Sequence, residues 1–262
     1  MMKAVKLTRF IGCFLLIFMF VLPVSASECI GWYCKRNKEH KQPVLDGKLN
    51  MAENYDVYWC DKKHKSMDDD DKVIYLTFDA GYENGNVEKI LDTLKEEDVK
   101  GAFFILDNMI YKNKSLVKRM TDEGHTVGNH TCKHKDMTKM KCKDDFAKEL
   151  YSLEELYEKN FGMKMQKYYR PPEGKLNEEN LIWAKELGYK TVMWSFAYAD
   201  WDNGRQPSAE NAMRKILDNV HNGEVMLLHP TSSTNAEILK PLIRELKSQG
   251  FRFGTLDELC EK

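Results

Sequence analysis

The sequence has no excess of positive charge, since 40 Lys and Arg residues face 41 Asp and Glu residues and give a formal net charge of −1. Proteins that bind nucleic acid through its phosphates normally carry a clear basic excess, so a nucleic-acid partner is not expected. Internal repeats and a glycine-rich phosphate loop are also missing. What remains is a 262-residue chain, 42% hydrophobic and 31% charged, a composition typical of water-soluble globular proteins with a sizeable core.

The main apolar run is shorter than the roughly 20 residues that a membrane-spanning helix needs. It covers residues 10–24, a length of 15; three basic residues precede it, and small residues follow it at 24–26. This order predicts a cleaved export signal over residues 1–26, with an uncleaved membrane anchor as the alternative. Without the three basic residues of the signal, 37 basic residues face 41 acidic ones, and the exported, extracytoplasmic protein has a net charge of −4.

Cysteine is scarce, with seven residues in the whole chain and six once the signal is removed. An exported protein can form disulfides, but six cysteines allow fifteen pairings, and no zinc-ribbon spacing is present. The pairing therefore stays open, with free buried thiols as the alternative. The six residues are Cys29, Cys34, Cys60, Cys132, Cys142 and Cys260.

Residues 27–72 show no sustained apolar period of 2 or 3.6. We interpret them as an irregular, charged N-terminal extension with aromatic docking points at Tyr55, Tyr58 and Trp59. The acidic run at residues 68–71 is interpreted as a solvated turn.

Residues 73–262 alternate short apolar runs with amphipathic ones, which predicts one domain in which each strand is followed by a helix. Seven such strands predict an α/β fold with a parallel sheet closed into an incomplete (β/α) barrel, and an open doubly wound sheet is the alternative. The predicted strands lie at 73–78, 102–106, 126–127, 168–169, 191–194, 225–228 and 251–253, and the predicted helices at 87–94, 115–123, 144–160, 178–187, 208–221 and 235–249, with a last short helix at the C-terminus.

Polar residues follow several of these strands, and the carboxyl ends of parallel strands are where such folds carry their chemistry. Asp79 directly follows the first predicted strand, where its carboxylate would project into a cleft. A helix-capping role is its alternative. His130 and His134 are four residues apart, a spacing that lets both imidazoles reach one metal ion. Alone, the pair is equally compatible with surface or core histidines.

Three more strand ends carry Arg170, Asp200 and His229. Arg170 precedes two prolines that fix its loop, so it can orient a carboxylate, with a surface salt bridge as the alternative. His229 ends an apolar strand and suits general acid catalysis if a carboxylate raises its pKa. A buried, hydrogen-bonded structural histidine is the alternative for His229.

Together these clusters resemble the five motifs of the polysaccharide deacetylase family, also called carbohydrate esterase family four. The resemblance runs from about Tyr55 to the C-terminus. A narrower similarity, to the delta-lactam-biosynthetic de-N-acetylases of spore cortex peptidoglycan, lies in residues 75–85, in Trp194-Ser195 and in Asp200-Trp201. The five motifs are Thr77-Phe78-Asp79, His130-Thr131-x-x-His134, Arg170-Pro171-Pro172, Asp200-Trp201 and Leu228-His229.

The resemblance implies a distorted, incomplete (β/α) barrel of about seven parallel strands, with residues 73–262 as the catalytic domain. It also implies hydrolysis of an N-acetyl group on a glycan, assisted by a divalent metal ion such as zinc. In these roles His130 and His134 bind the metal, and Asp79 deprotonates the attacking water. Arg170 orients Asp79. His229 protonates the leaving amine, and Asp200 holds His229 in the required tautomer.

Two positions depart from the wider family. Ala80 stands where most members have a metal-binding aspartate, so a weakly held metal is expected. Glu173 stands where tyrosine is common, and its side chain is free to vary if only its backbone N–H meets the oxyanion. The residues expected to contact substrate are Tyr82, Glu83, Asn84, Glu173 and Trp201.

The leading hypothesis is an exported deacetylase of N-acetylmuramic acid residues in peptidoglycan strands whose stem peptides an amidase has removed. The freed amine then closes onto the lactyl carboxyl to form muramic delta-lactam. A chitooligosaccharide or xylan deacetylase of the same family is the second hypothesis. A cell-wall glycan-binding protein without turnover is the third, motivated by Ala80. Retention of Asp79, Arg170 and His229 favours an enzyme.

Overall fold

The structure is a computed structural model that describes residues 28–36, 38–45 and 47–261. The export signal predicted for residues 1–26 lies outside the described residues. Among the described residues, no helix combines the length and the apolar character needed to cross a membrane. The strands are β1 (Ile30–Gly31), β2 (Val57–Tyr58), β3 (Lys72–Ala80), β4 (Ala102–Ile105), β5 (Thr126–Asn129), β6 (Tyr168–Tyr169), β7 (Lys175–Leu176), β8 (Lys190–Val192), β9 (Phe196–Ala197), β10 (Glu224–Leu228) and β11 (Phe251–Phe253). The helices are α1 (Val87–Glu96), α2 (Asp107–Lys112), α3 (Lys114–Asp122), α4 (Lys143–Phe161), α5 (Glu178–Glu186), α6 (Ala209–Leu217), α7 (Ser233–Ser248) and α8 (Leu256–Leu259).

One curled, parallel sheet forms the centre of the molecule. Its strands run in the order β2-β8-β6-β5-β4-β3-β10-β9, and β11 pairs with β3. Every pairing in this sheet is parallel. An isolated antiparallel bridge between Cys60 and Glu224 links the β2 side of the sheet to β10. The predicted incomplete (β/α) barrel is therefore confirmed.

The hydrophobic pattern explains why β3 and β4 lie in the middle. Seven of the nine residues of β3 and all four of β4 are buried, as expected for parallel strands covered on both faces. The outer layer is built by amphipathic helices, among which α1 packs on α7 and α3, and α6 packs on α7. The seven predicted strands and the predicted helices are all present at nearly the predicted residues.

The N-terminal segment is more regular than its sequence pattern suggests. It forms β1, which pairs antiparallel with β7, a 3-10 helix at Gly47–Asn54, and β2, an edge strand of the main sheet. Trp32 and Trp59 are buried there with ring centroids 6.1 Å apart. Elements of two to eight residues are too short to show a period, so the apolar pattern did not predict them.

Three further features bear on expectations from the sequence. The acidic run is an exposed turn, as interpreted, and its last member, Asp71, forms an ion pair with Arg252. The six cysteines among the described residues are all free thiols, which leaves the disulfide alternative without support. The helix α2 was not predicted, because six residues hold fewer than two helical turns.

Candidate active site

The strand register brings the predicted residues to one edge of the sheet. Leu228 pairs with Phe78, so His229 and Asp79 stand at the next level of neighbouring strands. Asn129 pairs with Tyr169, which puts His130 and Arg170 side by side. The carboxyl ends of β3, β5, β6 and β10 therefore form one polar floor.

Arg170 is fully buried at the centre of this floor. Its Nε donates to the Val192 carbonyl at 2.9 Å, and its Nη2 donates to Thr77 Oγ1 at 2.9 Å. The guanidinium carbon lies 4.2 Å from the ring centroid of Phe104, a stacking contact that suits a planar cation. These contacts fix the guanidinium in one orientation, from which Nη1 donates to Asp79 Oδ1 at 2.9 Å.

Asp79 is held ionised by its surroundings. Its side chain is only 11% exposed, and its second oxygen, Oδ2, lies 3.6 Å from His130 Nε2. Burial opposes the charged form, but His130, Arg170 and His229 together hold the pKa of Asp79 below its ordinary value. An ionised carboxylate with one oxygen anchored by arginine is suited to accept a proton from water.

The two histidines belong to a tight turn after β5. Thr131 and His134 both adopt left-handed backbone conformations, with φ of 71° and 54°. The turn is stabilised by Asn129, whose Oδ1 accepts from the Thr131 N–H at 2.8 Å, and by Thr131 Oγ1, which accepts from the His134 N–H at 2.9 Å. Left-handed φ values at β-branched residues such as Thr131 are uncommon and concentrate at functional sites.

His130 is oriented as a metal ligand needs to be. Its Nδ1 lies 2.8 Å from the Arg170 carbonyl, and because a carbonyl only accepts, Nδ1 carries the proton. Nε2 is thus left with its lone pair on the side of Asp79. Burial, with a further contribution from His134, lowers the pKa of His130 to about 4, which keeps the imidazole neutral near pH 7.

These donors fit a loosely held divalent cation. The rings of His130 and His134 lie 5.0 Å apart, and the carboxylate of Asp79 stands beside the first of them. No cluster of three or more potential ligands occurs in the part of the chain that the structure describes. At position 80, where most of the family has an aspartate, the buried Ala80 supplies no carboxylate ligand. Two imidazoles leave the rest of the coordination shell to water or substrate.

On the other side of Asp79, His229 and Asp200 form a pair. His229 Nδ1 lies 2.7 Å from Asp200 Oδ1, and the His229 backbone N–H donates to Asp200 Oδ2 at 2.8 Å. Burial alone would lower the pKa of His229, but the hydrogen bond and charge of Asp200, with help from Asp79, raise it above its ordinary value of 6.5. A protonated imidazole beside an ionised carboxylate is an acid and a base in one cleft.

The residues expected to contact substrate are distributed unevenly. Trp201 is 60% exposed, with its ring centroid 6.0 Å from that of His229. Tyr82 is also exposed, and its hydroxyl accepts a hydrogen bond from Asn203 Nδ2. Glu83 instead accepts from backbone N–H groups at the start of α1.

Two more of these expected contacts have protein partners. Asn84 Nδ2 donates to the Thr231 carbonyl at 2.8 Å. Glu173, in a left-handed conformation with φ of 57°, forms an ion pair with Lys175 at 2.7 Å. A substrate role for Glu83, Asn84 and Glu173 therefore stays a prediction, and the structure gives each a partner within the protein.

Sequence reasoning missed Asn235, a fully buried residue in the first turn of α7. Its Nδ2 donates to Asp200 Oδ2 at 2.6 Å and to the His229 carbonyl at 3.1 Å, and its Oδ1 accepts from the hydroxyl of Tyr198. Asn235 thus fixes the carboxylate that fixes His229. The only signal in the sequence was a polar residue three positions after the helix-capping Ser232, which is common in many helices.

A buried arginine holding a carboxylate, a pair of histidines and a histidine–aspartate pair at one edge of a half-barrel define a hydrolase that uses water, a base and an acid. Comparison with known proteins agrees. The family model described as polysaccharide deacetylase matches residues 66–192. The chain is 40% identical to the peptidoglycan-N-acetylmuramic acid deacetylase PdaA of Bacillus subtilis over 234 residues, covering 89% of this chain and 86% of the relative.

Solved structures agree as well. The structure of Bacillus subtilis PdaA, a family 4 carbohydrate esterase, matches with a TM-score of 0.82, covering 88% of this chain and 97% of the other. A family 4 carbohydrate esterase from Bacillus anthracis matches with a TM-score of 0.70 at 36% identity, covering 88% of this chain and 96% of the other. A peptidoglycan-N-acetylglucosamine deacetylase of Bacillus cereus is 35% identical over 192 residues, covering 72% of this chain and 68% of the relative.

The chain belongs to the polysaccharide deacetylase family. It is a peptidoglycan deacetylase, a hydrolase that acts on carbon–nitrogen bonds other than peptide bonds.

Proposed function

We propose that the protein is exported and removes the acetyl group from N-acetylmuramic acid residues of peptidoglycan, and that a divalent metal ion held by His130 and His134 assists. The single observation that carries the chemistry is the arrangement of a base and an acid on neighbouring strands: Asp79 with a lowered pKa and His229 with a raised one. Similarity to PdaA over most of the chain supports the muramic acid as the sugar.

The reaction begins when Asp79 takes a proton from the attacking water, whose oxygen adds to the acetamide carbonyl carbon. Arg170 keeps the Asp79 carboxylate turned to this position through the 2.9 Å contact. A divalent cation held by His130 and His134 would supply Lewis-acid polarisation of the carbonyl or the water. His229, with Nδ1 engaged by Asp200, gives the proton on Nε2 to the leaving nitrogen. The carbon–nitrogen bond breaks, and the products are acetate and a glycan with a free amine.

Substrate without stem peptides is part of the proposal. The freed amine closes onto the lactyl carboxyl to form the delta-lactam, and this step needs a carboxyl that carries no peptide. An amidase therefore acts before this enzyme in the space outside the membrane. The carboxylate of Glu173 is neutralised by Lys175, so repulsion of stem-peptide carboxylates by Glu173 adds little to this preference.

The test compares acetate release from three substrates by the purified protein: amidase-treated glycan strands, intact peptidoglycan and chitin oligomers. We expect release mainly from the first. In Asp79→Asn, the rate should fall by about 10²- to 10⁴-fold, the contribution of a general base, with the fold kept. Equal rates on peptide-free and intact peptidoglycan, or a preference for chitin oligomers, would remove the muramic acid assignment and leave a general deacetylase.

A further inference from the structure

The helix α2 is hydrogen-bonded to two parts of the active site, the loop after Asp79 and the histidine turn. At its start, the Leu106 N–H donates to the Ala80 carbonyl at 3.4 Å, and Asn108 Nδ2 donates to the Gly81 carbonyl at 3.2 Å. On its other side, the Asp107 N–H donates to the Cys132 carbonyl at 3.3 Å. The loop after Asp79 and the histidine turn are thus both hydrogen-bonded to this six-residue helix.

Tyr111, in the last turn of α2, is the most exposed aromatic side chain that the structure describes, at 68%. The ammonium of Lys133 lies 5.9 Å from its ring centroid, and Lys133 itself forms an ion pair with the buried Asp107. Lys133 directly precedes His134, so the ring lies next to the histidine turn on the catalytic edge of the sheet. An aromatic ring in this position offers a rigid apolar contact area to a molecule bound at the catalytic edge.

We propose that Tyr111 is a second binding position for the glycan strand, on which the apolar face of a neighbouring pyranose packs while its acetyl-bearing neighbour is hydrolysed. This inference rests on the proposed function. The occupant follows from the substrate being a polymer, because its next sugar units must leave the catalytic floor across one of its sides. Trp201 lies beside His229 at one side of the site, and Tyr111 lies beside the histidine turn at the other side.

The ring is suited to a neutral sugar. Tyrosine offers a large, rigid contact area with two side-chain torsions, and its hydroxyl can bond a sugar hydroxyl. The charge of Lys133 is partly neutralised by Asp107, so the surface around the Tyr111 ring has no strong charge of one sign.

A matched control exists elsewhere in the chain. Tyr151, on α4, also has an ammonium over its ring, that of Lys167 at 4.9 Å, and Lys167 likewise pairs with a carboxylate, that of Glu154. Lys167 directly precedes β6, at the amino edge of the sheet and therefore opposite the catalytic edge. Tyr151→Ala thus removes the same kind of tyrosine–lysine contact away from the site.

The experiment measures KM and kcat for acetate release from amidase-treated glycan strands of graded length. For the wild type and Tyr151→Ala, KM should be lower for long strands than for the shortest substrate. In Tyr111→Ala this advantage should shrink by roughly 3- to 10-fold, the size of one aromatic contact. Tyr111→Phe keeps the ring and should restore it. Circular dichroism verifies that each variant is folded.

A second measurement separates this inference from the proposed function. Asp79→Asn and the double variant Asp79→Asn/Tyr111→Ala are cosedimented with insoluble amidase-treated glycan, without turnover. Weaker sedimentation of the double variant supports the proposed role of Tyr111. Equal sedimentation, or an unchanged length dependence of KM in Tyr111→Ala, overturns it. If the wild type releases no acetate from any glycan, the proposed function fails, and cosedimentation alone decides the role of Tyr111.

Discussion

At the scale of single residues, the site depends on charges that are buried in pairs. Arg170 has no exposed surface and lies against Asp79, and Asp200 has almost none and lies against His229. A buried charge is tolerated when its partner and its hydrogen bonds are in place. The two pairs shift the pKa values of Asp79 and His229 in opposite directions, so one ionises at low pH and the other stays protonated to higher pH.

Asp200→Asn tests the acid side of this arrangement. Asp200 raises the pKa of His229 above 6.5, so the protonated, active form persists to a higher pH than in a free histidine. Without that charge, the protonated form is lost at a lower pH. We therefore expect the alkaline limb of kcat/KM against pH to move to lower pH, with a rate loss of about 10²- to 10⁴-fold.

The control for this measurement is Asp202→Asn, two residues along the same loop. Asp202 accepts a hydrogen bond from the Gly204 N–H and is exposed. It should leave the alkaline limb in place. An unmoved limb in Asp200→Asn would show that His229 is not the group that titrates there.

At the scale of elements, short segments complete what the longer ones begin. The strands β3, β4, β5 and β10 and their helices were predictable, because each has enough residues to show a buried run or an amphipathic face. The edge strand β2 and the helix α2 have only two and six residues. Both depend on tertiary neighbours, since β2 pairs with β8 and α2 buries Met109 and Ile110 in the core.

Trp59→Ala tests whether the N-terminal segment belongs to the folded core. Trp59 directly follows β2 and is 4% exposed, packed against Trp32. Its removal should lower the free energy of unfolding by about 3–5 kcal/mol, the usual cost of emptying a buried tryptophan site. Urea denaturation measures the change, and Val44→Ala, at a position 81% exposed, should change it by less than about 0.5 kcal/mol. A similarly small change in Trp59→Ala would place the segment outside the core.

At the scale of the whole molecule, we expect stability to be independent of the proposed metal ion. The largest hydrophobic cluster is built from β3, β4, β10 and the helices α1, α3 and α7. The turn that carries His130 and His134 is held by its own hydrogen bonds, from the Thr131 N–H to Asn129 and from the His134 N–H to Thr131. We therefore expect the protein to fold without the proposed metal ion, unlike a zinc finger.

Dialysis against a chelator should lower acetate release while the melting temperature changes by less than about 2 °C, a shift that corresponds to under 1 kcal/mol in a domain of this size. Activity should return on addition of a divalent cation. The variant His134→Ala serves as the comparison. It lacks one proposed metal ligand, so its activity should be reduced from the start and should not fall further on chelation. A melting temperature that falls steeply on chelation would show that the metal is part of the core.

The sequence by itself determined the strand–helix alternation, a parallel α/β sheet and the positions of five polar residues at strand ends: Asp79, His130, Arg170, Asp200 and His229. Local patterns suffice for this because burial imposes a period on each long element, and parallel strands collect their carboxyl ends at one edge. The resemblance of the motifs then supplied the chemistry.

Only the tertiary structure decided which partner each polar side chain has. Asn235 lies 35 residues from Asp200 in sequence, and Arg170 lies 91 from Asp79, yet they are within hydrogen-bonding distance. Glu173 forms an ion pair with Lys175, and Glu83 accepts a hydrogen bond from the Val87 N–H at the start of α1. Such contacts depend on loop paths and side-chain directions, which a local apolar period does not predict. A hydrogen bond forms only when the donor–acceptor distance falls within a range a few tenths of an ångström wide.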